Sequence, residues 1–365
     1  MSAATKSTKK SSGKTLVTGG AGFIGSHIVR LLLKEGRDVR VMILPGENTQ
    51  NLKELDVEIV EGNLTDPDSL KKAVKGSSHI FHLAAIYTDW LPRPEVMYEV
   101  NCIGSMNLLW EALRNNVEKV VYTSSVVALG MEPGGLNNEE TRFNCWSANM
   151  DYSRSKWLSE QEALTFCRNG LDISFCCPGM PYGAGDIGPT PTGKLLLGAA
   201  KSLPRVVPDN YLSVVDVDDV ARGHVLAEKK GKNGERYILT NANIKLSEFM
   251  QTVAETVGRK TNPIGLSPKI MDAMAPIGDI LEQRAWKMQK KPAITGGGIR
   301  YTAKNFRFSN QKAREELGME FTPMKTAIAK AFDYFIRTGR IKDKQFITDF
   351  QKHGARELEG LAREY

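Results

Sequence analysis

The stretch TGGAGFIG, residues 18–25, follows the apolar run Thr15, Leu16 and Val17 and leads directly into SHIVRLLLKEG. From Gly19 its glycines are spaced G-x-x-G-x-x-G (Gly19, Gly22, Gly25); from Gly20 they also satisfy G-x-G-x-x-G. Glycine spacing alone is a weak signal. The specific part is its setting, with a strand before it, a helix after it, and Phe23 and Ile24 turning into the core. There the first glycine permits a tight turn, the middle one lets the backbone approach a pyrophosphate, and the last allows close packing of helix on strand. Free amides at the helix start then face the anion. No Gly-Lys-Ser/Thr follows, so the loop predicts a dinucleotide site and not a nucleoside triphosphate site.

Working outward, the chain alternates strand-like and helix-like segments. The helix after the loop stops at Gly36, and DVRVMIL is a strand. VEIVEG, a helix opening near DPDSLKKAVKG, and the strand HIFHLAA come next. A long helix over about 95–115, the strand KVVYTSS, a helix over about 151–167 and the strand DISFCCPG complete the series. Near-continuous apolar strands alternating with helices argue an α/β fold: a Rossmann-type doubly wound parallel sheet covered on both faces. From about Pro181 the pattern loosens into YGAGDIGPTPTG, then returns to strand and helix in LSVVDVDDVARGHVLAE, with a further helix over 245–258. The predicted organisation is a cofactor domain of residues 14–180 plus about 213–240. A smaller, C-terminal, mainly helical substrate lobe of about 181–212 plus 241–339 closes over the strand ends. Residues 340–365 read as a charged helical extension, packing either on the body or on a second subunit.

The chain has 365 residues, 41% hydrophobic and 25% charged, an ordinary globular profile. Much of the net charge of +7 sits in MSAATKSTKKSSGK, where Lys6, Lys9, Lys10 and Lys14 have no acidic neighbours. Residues 1–13 therefore read as a disordered basic tail and not as a nucleic-acid contact. No stretch is apolar for long enough to predict a membrane helix, and the tail lacks the apolar segment of a secretory signal, so a cytoplasmic protein is expected. Cys102, Cys145, Cys167, Cys176 and Cys177 show no metal-type spacing and read as reduced thiols, with no metal implied.

DYSRSK places Tyr152 and Lys156 four residues apart, hence on one helix face. Their helix follows the strand whose end carries Ser124 and Ser125 in YTSSVVALG, so both segments finish at the rim of the sheet that holds the glycine loop. A hydroxyl, a phenol and an ammonium beside a nicotinamide make a carbonyl-reduction site. The charge of Lys156 is expected to favour the Tyr152 phenolate and lower its pKa.

TGGAGFIG, HLAA at 82–85, VNCIGSMNLL with Asn101, YTSSVVALG, YSRSK and CCPGMPYG together resemble the extended short-chain dehydrogenase/reductases, over about residues 14–339. PTPTGKLL, VDVDDVARGHVLA, GERYIL and NQKAREELG are most similar to the branch of dihydroflavonol-reductase-like and hopanoid-associated sugar-epimerase-like proteins. The resemblance implies Tyr152 as general acid/base, Lys156 on the nicotinamide ribose, Ser125 polarising the substrate oxygen, and Asn101 supporting the helix that positions Lys156. It implies a cofactor cradle of Gly19, Gly22, Phe23, Ile24, Gly25, Asn63, Leu64, Leu83, Ala84, Ala85 and Ser124, with Pro178 and Gly179 bordering the nicotinamide beside Tyr152 and Lys156. It also implies homodimers formed through the helices bearing Asn101 and Tyr152.

Three positions depart from the pattern. Leu44 stands where relatives often carry an arginine for NADP, Asn63 replaces a common aspartate, and Asp216 replaces a common histidine at the junction of the lobes. The cofactor is therefore expected to be NAD(P)(H), with a lean to NAD(H) because Glu47 would repel a 2′-phosphate. TSSVV lacks the Thr-Asp-Glu of dehydratases, which disfavours that reaction. The expected reaction interconverts a secondary alcohol and a ketone or aldehyde, in the manner of dihydroflavonol reductases or 3β-hydroxysteroid dehydrogenases. Tyr87, Trp90, Trp146, Met180 and Tyr182 fall in segments expected near the pocket and favour an apolar or aromatic small-molecule substrate. A sugar-nucleotide epimerase, its diphosphate held by Arg205, Arg300 or Arg307, and a non-catalytic cofactor sensor or scaffold are the alternatives.

Overall fold

A computed structural model describes residues 13–132, 134–362 and 365, so the tail expected over 1–13 lies, except for Gly13, outside the described residues. The first half builds one seven-stranded sheet. In chain order it comprises β1 (Lys14–Thr18), α1 (Phe23–Lys34), β2 (Val39–Ile43), β3 (Glu58–Glu61), α2 (Pro67–Val74) and β4 (Ser77–His82). The helical segment that follows has three parts, α3 (Glu95–Tyr98), a π-helical turn over Glu99–Gly104, and α4 (Ser105–Arg114). Then come β5 (Lys119–Thr123), α5 (Asp151–Arg168) and β6 (Ile173–Pro178). The single helix expected over 95–115 is thus interrupted by a π turn.

Beyond β6 the chain leaves the sheet through β7 (Met180–Tyr182), α6 (Pro191–Lys201), β8 (Val206–Pro208) and β9 (Tyr211–Asp216). It returns through α7 (Val217–Lys230) and β10 (Arg236–Leu239), which adds to the sheet edge. The sheet is parallel throughout, in the order β10-β6-β5-β4-β1-β2-β3. The remaining elements are β11 (Ala242–Lys245), α8 (Leu246–Thr256), β12 (Ile264–Leu266), α9 (Pro268–Met288), α10 (Gly296–Ala303), α11 (Met324–Arg337) and α12 (Lys344–His353).

Strand alternation explains the layers. Val17 faces a core with Ile28, Val29 and Leu32 of α1 and Val220 and Val225 of α7. Its neighbour Leu16 faces the opposite core, with Leu70 of α2, Leu108 of α4 and Phe166 of α5. A strand buried on both faces is mostly apolar at successive positions, as β5 and β6 are, whereas β4 is apolar only at Ile80 and Phe81. Strand β9 lies not in this sheet but between β7 and β11 in a separate three-stranded one. The lobe built on it has its own core, where Leu196 of α6, Phe249 of α8 and Phe332 and Phe335 of α11 meet. The C-terminal extension packs on this body: Phe346 and Phe350 of α12 are buried in the same core.

Candidate active site

The glycine loop turns where β1 ends. Gly19 has φ +69, the left-handed region that favours glycine, and an added Cβ would lie 2.9 Å from the Ala84 amide nitrogen. A Cβ on Gly25 would overlap the Gly19 carbonyl oxygen. Gly22 caps α1 without a side-chain hydrogen bond, and no acidic residue sits in the first turn. The helix therefore begins with its amides and positive dipole end available to an anion, and Phe23, Ile24 and Gly25 form its first turn. Leu83, Ala84 and Ala85 run past the loop from the end of β4; the Leu83 and Ala84 amides donate to the Thr18 hydroxyl at 3.2 Å. This cradle fits a pyrophosphate.

At the adenosine end, Leu44 is half-exposed, and the Glu47 carboxylate accepts from the Leu44 amide at 2.9 Å, which puts a negative charge just past β2. Arg40 is turned away: it donates to the Ala73 and Lys75 carbonyls and pairs with Glu58. Asn63 Oδ1 is occupied by the Thr65 amide and hydroxyl, the ordinary economy of an Asx turn. Leu64 is buried in the core beneath the π turn, where a Cβ on Gly104 would come within 2.6 Å of it.

Ser125, Tyr152 and Lys156 come together at the C-terminal rim of β5. The Lys156 ammonium donates to the Thr123 carbonyl at 2.6 Å and lies 5.3 Å from the centre of the Tyr122 ring. Burial pulls the amine down to about 8, against the opposing charge of Glu160. The expected lowering of Tyr152 is not found: burial pushes its phenol well above the ordinary value, and hydrogen bonding with Ser125 only partly opposes that. The neighbouring Tyr87 phenol raises it further, while the Lys156 ammonium is turned to Thr123.

Asn101 lies within the π turn, and its amide is fully used. It donates to the Ile86 carbonyl at 3.1 Å and to the Ser155 hydroxyl at 3.1 Å, and it accepts from the Ile86 amide at 2.7 Å. It thereby ties the loop after β4 to the helix turn that carries Lys156. Pro178 ends β6 opposite Leu239, and Gly179 packs so closely that a Cβ would overlap the Ser213 carbonyl.

Of the residues expected around a substrate, Tyr87 is at the site: its ring stands edge-on to Tyr152 with centroids 5.0 Å apart. Trp90 is buried three residues on. Met180 is half-buried against the lobe core. Tyr182 is fully buried in that core, its ring edge-on to Phe249. Trp146 packs with Phe143 and Trp157 in an aromatic cluster of its own. Ser124 donates its hydroxyl to Glu160 at 2.5 Å, and Glu160 is paired with Arg236 of β10.

Sequence reading missed three participants. Glu160 is fully buried one turn after Lys156, a spacing that could have flagged it. His82 is held neutral by burial, its pKa lowered to about 3, and links the Thr18 and Ser105 hydroxyls at 2.8 and 2.9 Å. Tyr301 of α10 reaches the neighbourhood of Tyr152 and Tyr87, and burial drives its phenol far up. Nothing in its local sequence signals this.

The fold and the rim geometry define an NAD(P)-dependent enzyme of the extended short-chain dehydrogenase/reductase type. The description "NAD dependent epimerase/dehydratase family" matches residues 15–240, and the chain belongs to that family. It is 33% identical to a Synechocystis protein named for dihydroflavonol 4-reductase, over 89% of this chain and 95% of that one. It is 31% identical to sterol demethylase protein B of Methylococcus capsulatus, over 90% and 99% of the two chains. The crystal structure of gox2253 superposes with a TM-score of 0.80 at 37% identity, covering 90% of this chain and all of that one.

Proposed function

We propose that this enzyme interconverts a secondary alcohol and its ketone or aldehyde, working on a small apolar or aromatic substrate. The observation that carries this reading is the pair of rings at the site, an exposed Tyr87 packed edge-on to a half-buried Tyr152, with Ser125 beside them. A phenol held protonated by burial is in the form that gives a proton away, which suits carbonyl reduction at neutral pH.

The bound nicotinamide would supply hydride to the carbonyl carbon. Tyr152 delivers a proton to the carbonyl oxygen as it becomes an alkoxide, and the Ser125 hydroxyl stabilises the charge developing on that oxygen. Lys156, anchored on Thr123, contributes positive charge to the same enclosure and offers a donor to the nicotinamide ribose. Oxidation of the alcohol is the reverse, with Tyr152 accepting the proton.

The basic side chains weighed for a nucleotide diphosphate do not support an epimerase. Arg300 is paired with Asp279, Arg307 donates to the Gly134 carbonyl and lies over Tyr211, and Arg205 is exposed. The similarity to proteins named for dihydroflavonol reduction and sterol demethylation points the same way. Glu47 beside Leu44 supports NAD(H) over NADP(H). Incubation with a carbonyl panel should consume NADH steadily; interconversion of UDP-sugars with no net change in NADH would contradict the proposal.

A further inference from the structure

Helix α9 has two apolar faces. One consists of small residues, Ala275, Gly278 and Ala285, buried against α10; a Cβ on Gly278 would sit 2.6 Å from the Gly296 nitrogen. The other is open. Ile270, Met274, Ile277, Ile280 and Met288 recur at helical spacing and are 51, 38, 54, 52 and 62% exposed. A stripe of large side chains of this length on one surface helix is not ordinary scatter. It begins just beyond Ile264, which pairs with Val206 on the β8–β12 ribbon; both are exposed.

The charges around the stripe are mostly basic. Lys269, Arg284, Lys287 and Lys290 are exposed, and among the described residues none of the four makes an ion pair. Of the acids on the helix, Asp279 is neutralised by Arg300, Glu282 is half-buried, and Asp272 is exposed. Apolar side chains bordered by unpaired lysine and arginine match a helix lying in the plane of a lipid surface, with the cations on anionic headgroups. A second copy fits less well, because a two-fold pairing of this face would bring like charges together. The helix also borders the candidate site. Trp286 donates its indole N–H to the Leu91 carbonyl at 3.2 Å, and Lys291 reaches Asp89 at 2.5 Å, both in the loop that carries Tyr87.

We propose that α9 docks the enzyme peripherally on an anionic lipid bilayer, its apolar stripe seated at the boundary of headgroups and acyl chains. No helix among the described residues is long and apolar enough to cross a membrane. The proposal does not depend on which carbonyl reaction the site performs.

The test is co-sedimentation of the full chain with phosphatidylcholine vesicles, with and without phosphatidylglycerol. Binding is expected to the phosphatidylglycerol vesicles and to weaken as salt is raised. The double variant Met274→Glu with Ile277→Glu should weaken it by roughly tenfold or more, with melting temperature and elution volume unchanged. Lys287→Glu with Lys290→Glu should weaken it similarly without touching the apolar stripe. Failure to bind either vesicle at low salt would overturn the proposal, as would undiminished binding by the glutamate variants. So would a wild-type dimer that Ile277→Glu dissociates, since a second copy would then cover the face.

Discussion

The Lys156 ammonium donates to the Thr123 carbonyl at 2.6 Å, which fixes the charge of α5 on the last residue of β5. With its pKa drawn down to about 8 by burial, this amine is charged below that pH and loses its charge above it. For carbonyl reduction, kcat/KM should be level towards neutrality and fall above about pH 8, approaching tenfold per pH unit. The residual activity of Lys156→Arg should lack that descending limb, because a guanidinium stays charged. A pH profile of kcat/KM for both proteins checks this.

Asn101 acts at one remove. Its bonds to Ile86 and Ser155 hold the loop after β4 against α5, so Asn101→Ala should lower kcat on the order of tenfold to a hundredfold by misplacing Lys156 and Tyr152, with a smaller loss of NADH affinity through the Lys156 donor. Stopped-flow measurement of NADH binding beside steady-state turnover separates the two effects.

How far the sequence disclosed this site depended on distance along the chain. The glycine loop and the YSRSK pair were legible because a turn and a helix face are local, and so was the parallel sheet, whose doubly buried strands leave continuous apolar runs. The π turn at Asn101 was not legible, because the phase shift of about 100° that one extra residue imposes on the apolar stripe is lost in so short a helical segment. The burial of Tyr182 was not legible either, because a short strand's inward and outward positions depend on the elements packed against it. Tyr301 arrives from a helix that only tertiary packing brings to Tyr152.

Buried charge gives a stability prediction. Lys330 of α11 bridges Asp216 and Asp218 at 2.7 Å each, and Asp218 also meets His27 of α1 at 2.5 Å. This cluster joins the lobe to the cofactor domain at the position where Asp216 departs from the family pattern. Lys330→Met would leave the fully buried Asp216 carboxylate without its cation, and thermal or urea unfolding should show a loss of roughly 3 kcal/mol.

The proposed preference for NAD(H) rests on Glu47. Glu47→Arg should remove the repulsion of a 2′-phosphate and supply a partner for it, which shifts the ratio of kcat/KM for NADPH over NADH upward by about tenfold or more. Paired titrations of wild type and variant read this directly, and wild type should favour NADH.

The central claim is that the Tyr152 phenol carries the proton. The most direct measurement is turnover of Tyr152→Phe on the best carbonyl substrate, with NADH binding followed in parallel. The proposed mechanism predicts a fall in kcat of about a hundredfold to ten-thousandfold with cofactor affinity retained. A variant that binds NADH normally and keeps most of its turnover would contradict it.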